Sequence, residues 1–358
     1  MPNPVITSAI DALASRRDLS EQAASEVLSQ IMHGEVSETQ IAGFLIALRT
    51  KGETVQELAG LARTMRELAS HVPTERHDLL DTAGTGGGRR TFNVSTSAAL
   101  VAAGAGCAVA KHGNRSATSS SGSADLLEAL GARIDLGPDG VASCIEEAGF
   151  GFMFAPAHHQ ATRFVIPVRR ELSVRTIFNL LGPLTNPAGA TRQLIGVADP
   201  SFMETIAGAL ALLGVERALV VAGEDGLDEV STSAPTRVIE VNGAELPRYS
   251  VTPEEVGIEP ADVSDPLLGG GSPAENAQVT TAVFAGEQGA HADLIVINAG
   301  AAIYAAGAAP DISAGVGLAR EVIASGAAAA ALGRYVQVSR SYQGRSTNRS
   351  AQSETMLR

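Results

Sequence analysis

The sequence predicts an α/β protein in which a small N-terminal helical domain precedes a larger α/β domain with a mainly parallel central sheet. Helix-start signals and apolar residues at helical spacing recur through the first part of the chain, and short apolar runs alternate with helical stretches from Leu79 onward. We expect a helical domain over 1–72, an α/β domain over 73–338 and a disordered tail over 339–358.

The helical domain is predicted from sequences typical of capping boxes. They are Asp18-x-x-Glu21, Ser37-x-x-Gln40 and Thr54-x-x-Glu57. Each precedes apolar residues at helical spacing, so each should begin a helix with one buried face. Part of the segment 165–190 ends in a proline stop after a helical pattern, and we expect it to join this domain.

The α/β domain is predicted from short apolar runs that end in loops. The runs are LLDTAG, CAVAKHG, GARIDL, GFMFAPA, QLIGVAD, RALVVAGE and TRVIEV. Helical stretches such as SADLLEALG and FMETIAGALALLG lie between them. Ligands of such sheets bind beyond the carboxyl ends of the strands, where the unusual residues of this chain fall.

Composition excludes several classes of function. The net charge of −13 disfavours a nucleic-acid binder, which needs a basic face. Cys107 and Cys144 lie in apolar surroundings outside any CxxC motif, so we expect two buried free thiols. The N-terminus lacks the order of a signal peptide and the apolar runs are too short to span a bilayer. We therefore expect a cytoplasmic protein without membrane contact.

Two stretches have the composition of anion-binding loops. Residues 81–96, DTAGTGGGRRTFNVST, place consecutive glycines before a helix start, so that backbone N–H groups can converge on an anion. Residues 111–131, KHGNRSATSSSGSADLLEALG, bring two cations and many hydroxyls between a strand and a helix. Such donors suit phosphate or diphosphate oxygens.

A third stretch, GEDGLDEVS over 223–231, carries adjacent carboxylates at Asp228 and Glu229. Two neighbouring carboxylates repel each other, and Mg²⁺ would relieve the repulsion while bridging to a diphosphate. In combination with the two anion-binding loops, this pair predicts a magnesium-dependent diphosphate site.

In this order the motifs GTGGG…TFNVST, KHGNRSATSSSGSADLLEALG, VRRELSVRTIFNLLGPLTNP and GLDEVS resemble the anthranilate phosphoribosyltransferase family of tryptophan biosynthesis, over roughly residues 5–335. The resemblance implies the nucleoside phosphorylase/phosphoribosyltransferase type of fold and a homodimer formed through the helical domain. It also implies Mg²⁺-dependent transfer of the 5-phosphoribosyl group from 5-phosphoribosyl 1-diphosphate (PRPP) to anthranilate, with release of diphosphate. That reaction is the second step from chorismate.

The resemblance also implies the residues of each subsite. PRPP would contact Gly84, Thr85, Gly87, Gly88, Thr91, Asn93, Val94, Ser95, Thr96, Lys111, His112, Gly113, Asn114, Arg115, Ser116, Ala117, Thr118, Ser119 and Ser123. Anthranilate would contact Gly84, Asn114, Pro156, His159 and Arg169. Mg²⁺ would be held by Ser95, Asp228 and Glu229. The guanidinium of Arg169 independently suits a benzoate carboxylate.

The sequence departs from the family pattern in two places. Where the family usually has GTGGD, this chain has Gly88 in place of the Asp. Its loop is one residue shorter and continues with Arg89 and Arg90. Thr162 stands where many relatives have an aromatic residue. For His112 and His159, a hydrogen-bonded packing role is expected ahead of proton transfer.

Two other functions remain open at this point. A pyrimidine nucleoside phosphorylase resembles this fold and would bind free phosphate, and phosphorolysis of thymidine or uridine would identify it. A non-catalytic paralogue would bind nucleic acid instead, and salt-sensitive binding to single-stranded DNA would identify it. The carboxylate pair and the −13 charge favour the transferase.

Overall fold

A computed structural model describes residues 2–116, 120–264 and 268–343 of the chain. The N-terminal part folds into helices α1 (Pro4–Ala14), α2 (Glu21–Met32), α3 (Glu38–Lys51) and α4 (Val55–Glu67). Ser37 and Thr54 cap α3 and α4 by accepting a backbone N–H three residues on, and Thr54 forms a complete capping box with Glu57.

The capping box predicted at Asp18 is wrong. Helix α2 begins after Ser20, whose hydroxyl accepts the Ala23 N–H. Leu19 is buried and its N–H donates to Glu57 Oε1 at 2.9 Å. This hydrogen bond to a residue of α4 keeps residues 18 and 19 outside α2.

The strands of the central sheet are β1 (Leu80–Gly84), β2 (Val109–Gly113), β3 (Phe150–Phe154), β4 (Arg192–Gly196), β5 (Arg217–Gly223), β6 (Thr236–Asn242) and β7 (Arg248–Val251). Their order in the sheet is β3-β2-β1-β4-β5-β6-β7. Strands β1 to β5 are parallel, whereas β6 and β7 are antiparallel. The predicted α/β class with a mainly parallel sheet is confirmed.

One predicted strand is wrong and one strand was missed. Residues 131–136, GARIDL, form a loop between two helices, although Ile134 and Leu136 are buried in the core. An apolar run this short can be buried by its side chains alone, without strand pairing. Strand β7 has only one buried residue, Val251, so its sequence carries little apolar signal.

The remaining helices lie between the strands along the chain or follow β7. They are α5 (Val94–Gly104), α6 (Ser123–Ala129), α7 (Pro138–Ala148), α8 (Ala155–His158), α9 (Ile166–Leu172), α10 (Phe178–Leu181), α11 (Met203–Leu212), α12 (Pro273–Phe284), α13 (Ala290–Ala305), α14 (Ile312–Ala324) and α15 (Ala327–Ser341). One apolar core packs α5, α7 and α13 to α15 against the sheet. A second core joins α1 to α4 with α9, α10, α11 and buried residues of β4, β5 and β6.

The predicted start of the tail at Ser339 is wrong. Helix α15 continues through Ser341, and Ser339 is fully buried with its hydroxyl accepting the Arg133 N–H at 3.1 Å. This packing orders the first residues of the expected tail, and residues from 344 lie outside the described part. Over the described ranges, no single helix meets the length and apolarity needed to cross a bilayer; α14 and α15 meet them only as a pair bent by 69°.

Candidate active site

Three loops leave the same edge of the sheet. They are the glycine loop (residues 84–93, after β1), the serine loop (residues 113–122, after β2) and the acidic loop (residues 223–231, after β5). Because β1, β2 and β5 are parallel, their carboxyl ends lie together at the edge where such sheets bind ligands. The part 117–119 of the serine loop, which includes the predicted Ala117, Thr118 and Ser119, lies outside the described residues.

The glycine loop packs directly on the acidic loop. Gly86 N donates to Asp228 Oδ2 at 3.0 Å, and Arg89 N donates to the Gly226 carbonyl at 2.8 Å. The acidic loop also crosses the end of β4, since a Cβ on Gly196 would lie 1.7 Å from the Asp228 carbonyl oxygen. Only glycine at 196 permits this approach.

Asn93 joins the glycine loop to the serine loop. Its side-chain oxygen accepts from Ser121 Oγ at 2.8 Å and from Asn276 Nδ2 at 2.9 Å, and its Nδ2 donates to the Ser121 carbonyl at 3.0 Å. The amide of Asn93 is thus engaged within the protein, so it shapes the site by holding two loops together. With these contacts, the three predicted loops form one continuous surface.

Lys111 lies beneath the loops with 1 % of its surface exposed. Its Nζ donates to the carbonyl and hydroxyl of Thr82, at 2.5 and 3.1 Å, and to Ser95 Oγ at 3.4 Å. Burial lowers the pKa of Lys111, and the charges of Asp81 and Glu229 oppose that change. The cation therefore supports the first turn of α5 from below, and its charge acts on Glu229 of the acidic loop.

The two predicted metal-binding carboxylates are held in a low-dielectric position. Burial raises the pKa of Glu229 to about 8, reinforced by the charge of Asp228 and opposed by Lys111 and the Ser95 N–H. Burial likewise raises the pKa of Asp228, against the hydrogen bond from Gly86. Both shifts indicate that burial disfavours two negative charges here, although Lys111 and Arg175 partly offset the effect.

These carboxylates fit Mg²⁺ by the chemistry of their donors. With Ser95 Oγ they offer oxygen ligands only, which is the preference of a hard cation. Within the described residues, no cluster of three or more His, Cys, Asp or Glu could enclose a metal ion. Asp228 and Glu229 would therefore supply part of a coordination shell, leaving positions for substrate oxygens and water.

His112 and His159 lie together below the serine loop. Their ring centroids are 5.0 Å apart. Burial lowers the pKa of His112 to about 3, with a smaller effect from His159, and burial lowers the pKa of His159 to about 4. His112 Nδ1 and His159 Nε2 donate to the carbonyls of Gly182 and Thr185, at 3.2 and 3.0 Å. Both rings are therefore neutral hydrogen-bonding groups near pH 7.

The predicted anthranilate residues come from several elements. Arg169 on α9 is partly buried, and its guanidinium stacks 5.3 Å from the ring centroid of Phe178. In the described part of the chain no carboxylate forms an ion pair with it, and burial lowers its pKa. Asn114 and Pro156 are exposed, whereas His159 is buried. Arg169 thus retains its charge for an anionic ligand.

Several predicted PRPP residues are engaged in other contacts. Thr85 Oγ1 accepts the Ala198 N–H at 3.1 Å, and Val94 is buried in the core. The Arg115 guanidinium pairs with Asp125 at 2.7 Å and with Glu128 at 2.5 Å, both on α6. These contacts turn the Arg115 side chain toward α6.

Sequence reasoning missed three residues that organise the site. Asp81 is buried and accepts the His112 N–H at 3.1 Å and Asn186 Nδ2 at 2.7 Å. Arg175, between α9 and α10, donates to the Gly86 carbonyl at 2.8 Å. An Asp inside an apolar strand run was an available signal for Asp81. Asn186 and Arg175 lie in the motif VRRELSVRTIFNLLGPLTNP, but a local pattern does not show which distant residues they contact.

Comparison with known proteins defines the class of this chain. Residues 7–69 match the glycosyl transferase family, helical bundle domain, and residues 76–329 match the glycosyl transferase family, a/b domain. The chain is therefore a glycosyltransferase built from these two parts.

Individual relatives define the family more narrowly. A protein of Rubrobacter xylanophilus named anthranilate phosphoribosyltransferase is 53 % identical over 95 % of this chain and 99 % of its own length. The crystal structure of the Thermus thermophilus anthranilate phosphoribosyltransferase is 50 % identical with a TM-score of 0.88, covering 93 % of this chain and 99 % of that one. The Saccharomyces cerevisiae anthranilate phosphoribosyltransferase in complex with PRPP and Mg is 28 % identical with a TM-score of 0.86, covering 94 % and 98 %. The chain belongs to the anthranilate phosphoribosyltransferase family.

Proposed function

We propose that this enzyme transfers the 5-phosphoribosyl group of PRPP to the amine of anthranilate, releasing diphosphate in an Mg²⁺-dependent reaction, the second step from chorismate to tryptophan. The observation that carries the proposal is the meeting of the glycine loop with the Asp228–Glu229 pair at the carboxyl edge of the sheet. The names of the relatives support the same reaction, and the yeast complex supports the use of Mg²⁺.

The leaving group determines what the loops must do. Departure of diphosphate places negative charge on its oxygens, and backbone N–H groups aimed at those oxygens stabilise the charge without reorganising. The glycine loop would supply such groups, with the exception of the Gly86 N–H, which donates to Asp228; Gly86 and Gly87 adopt φ of +67° and +87°, a conformation typical of backbone that binds anions. Mg²⁺, when bound, would neutralise part of the diphosphate charge. Asp228, Glu229 and Ser95 would hold the ion on the side of the acidic loop.

The acceptor determines the rest of the site. The amine of anthranilate is a weak nucleophile, so the protein must place it against the ribose carbon and exclude competing water. Arg169, unpaired within the described part of the chain, would bind the carboxylate of anthranilate through two parallel hydrogen bonds. His112 and His159 are neutral and would serve as packing and hydrogen-bonding groups. The chemistry then needs no strong base.

Assembly and location complete the proposal. We infer a cytoplasmic homodimer formed through the helical part, where Ile46 on α3 and Ile166 on α9 expose 38 % and 42 % of their surface. Helices α3 and α9 pack against each other, so these side chains can belong to one apolar surface. Cys107 and Cys144 are buried free thiols, in keeping with a reducing compartment. Light scattering after size exclusion would return twice the chain mass, and the monomer mass would contradict the dimer.

The direct test follows the loss of anthranilate fluorescence. Adding PRPP and Mg²⁺ to the enzyme should abolish the signal, and a chelator should stop the loss. Unchanged fluorescence, together with phosphate-dependent cleavage of thymidine or uridine, would establish the nucleoside phosphorylase alternative. Unchanged fluorescence with salt-sensitive DNA binding would establish the nucleic-acid alternative instead.

A further inference from the structure

The glycine loop of this chain has no room for a side chain at residue 88. A Cβ on Gly88 would lie 2.8 Å from Asp228 Oδ1 and 2.8 Å from the Gly226 carbonyl oxygen. Contacts below 3.0 Å require the neighbouring atoms to shift. The absence of a side chain at this position therefore lets the glycine loop pack directly against the acidic loop.

Arg89, the next residue, ties three segments together. Its N–H donates to the Gly226 carbonyl at 2.8 Å, and its Nη1 lies 3.2 Å from Asp225 Oδ2. The same Nη1 donates to the Val263 carbonyl at 3.1 Å. Arg90, by contrast, is exposed and forms no ion pair within the described part of the chain.

Asp225, the partner of Arg89, closes the acidic loop on itself. Its Oδ2 accepts Ser231 Oγ at 2.8 Å, and its Oδ1 accepts the Leu227 N–H at 3.3 Å. The Asp225 side chain is only 3 % exposed. Asp228 and Glu229 lie between Leu227 and Ser231, the two residues that donate to Asp225. The position of the Asp225 carboxylate therefore restricts the backbone conformation at both acids.

Arg89 also compensates charge. Glu224, Asp225, Asp228 and Glu229 place four carboxylates within one short loop, and Glu224 pairs with Arg237 at the surface. Without Arg89, the nearly buried Asp225 would form no ion pair within the described part of the chain, and a buried unpaired charge is strongly unfavourable. The ion pair therefore leaves Asp228 and Glu229 as the carboxylates whose charge is available to a metal.

We propose that Arg89 is a positioning residue for PRPP and its metal ion, acting through Asp225 to hold the glycine and acidic loops in their binding geometry. The inference rests on the proposed PRPP-dependent function. Gly86, Gly87 and Gly226 all adopt positive φ, so these loops would be costly to order when substrate arrives. Anchoring them beforehand by the Arg89–Asp225 pair lowers that cost, which strengthens binding.

The test measures binding separately from turnover. We expect Arg89→Met and Asp225→Asn each to weaken PRPP binding in the presence of Mg²⁺ by about tenfold in titration calorimetry, as expected when supporting contacts of a site are lost. The KM for PRPP should rise in parallel, while kcat stays within about twofold, because Arg89 is not placed against the reacting atoms. Arg89→Lys keeps the charge and should fall between Arg89→Met and the wild type.

Arg90→Met is the matched control, since it removes a neighbouring arginine that forms no ion pair within the described residues, and it should bind PRPP like the wild type. The double variant Arg89→Met/Asp225→Asn should be no weaker than either single variant, because both act through one ion pair. Wild-type PRPP affinity in Arg89→Met, with or without a lower melting temperature, would overturn the inference, and so would additive effects in the double variant. An inactive wild-type enzyme that leaves anthranilate unchanged would instead overturn the proposed function.

Discussion

Gly86 and Asp228, 142 positions apart in the chain, are joined by a hydrogen bond of 3.0 Å from the backbone N–H to carboxylate Oδ2. The carbonyl of the same Gly86 accepts Arg175 Nη2 at 2.8 Å. One peptide of the glycine loop therefore contacts both the acidic loop and the segment between α9 and α10. Movement of either neighbour would be transmitted to the anion-binding backbone.

Removing the acidic pair should abolish turnover. Replacing Asp228 and Glu229 by alanine deletes the oxygen ligands predicted for Mg²⁺, so we expect kcat/KM to fall by about a hundredfold or more. Circular dichroism should be unchanged, because the loss also removes two repelling carboxylates. Glu224→Ala is the control in the same loop, since Glu224 pairs with Arg237 at the surface. Full activity of the double variant would remove both acids from the mechanism.

Loss of Arg169 should weaken the binding of anthranilate and leave the binding of PRPP unchanged. Arg169→Gln removes the fork-shaped cation, and we expect the KM for anthranilate to rise about tenfold or more with little change in the KM for PRPP. Arg170→Gln removes the adjacent exposed arginine and should leave both constants unchanged. Equal behaviour of the two variants in steady-state kinetics would contradict the assigned role of Arg169.

Acid should destabilise the protein through its buried histidines. The folded pKa of His159, about 4, lies below its ordinary value of 6.5, so between these values the unfolded chain binds a proton that the folded chain does not. The free energy of unfolding should therefore fall as the pH drops through this window.

His159→Gln should make that fall shallower by about 1.4 kcal/mol per pH unit between roughly pH 6 and pH 4.5, measured by urea unfolding. His77→Gln, at an exposed position, provides the comparison. If the His159 variant kept the wild-type slope, the neutral buried state of that ring would be refuted.

Glu57 should stabilise the helical part. Its carboxylate is fully buried and accepts from Leu19 N–H at 2.9 Å, Thr54 N–H at 2.8 Å and Lys51 Nζ at 3.0 Å. Glu57→Gln turns one acceptor into a donor and leaves Lys51 without its buried partner, so unfolding should become easier by about 2–3 kcal/mol. Exposed Glu38→Gln should change stability by no more than a few tenths of a kcal/mol. Chemical denaturation of both variants measures the two free energies of unfolding, and equal values would show that Glu57 is dispensable.

The sequence determined those features that depend on neighbours along the chain. The Thr54–Glu57 capping box, the alternation of strands and helices, and the placement of three polar loops after strands all follow from local preferences, and each was predicted. The same local signals identified Asp228, Glu229 and Lys111 as candidates, because their residue types suit the chemistry of the ligand. Arg169 was implied by the family resemblance, with which its fork-shaped cation agrees.

Tertiary structure decided which contacts the predicted site residues make within the protein. Asn93 and Arg115 are among the predicted PRPP residues; in the structure Asn93 holds Ser121 and Asn276, and Arg115 pairs with α6. The pairing of Arg89 with Asp225 depends on how two loops at the end of one sheet approach each other, and GARIDL became a loop although its composition suits a strand. Such contacts join residues that are remote along the chain, so their energies cannot be read from local pattern, and only the packed chain shows them.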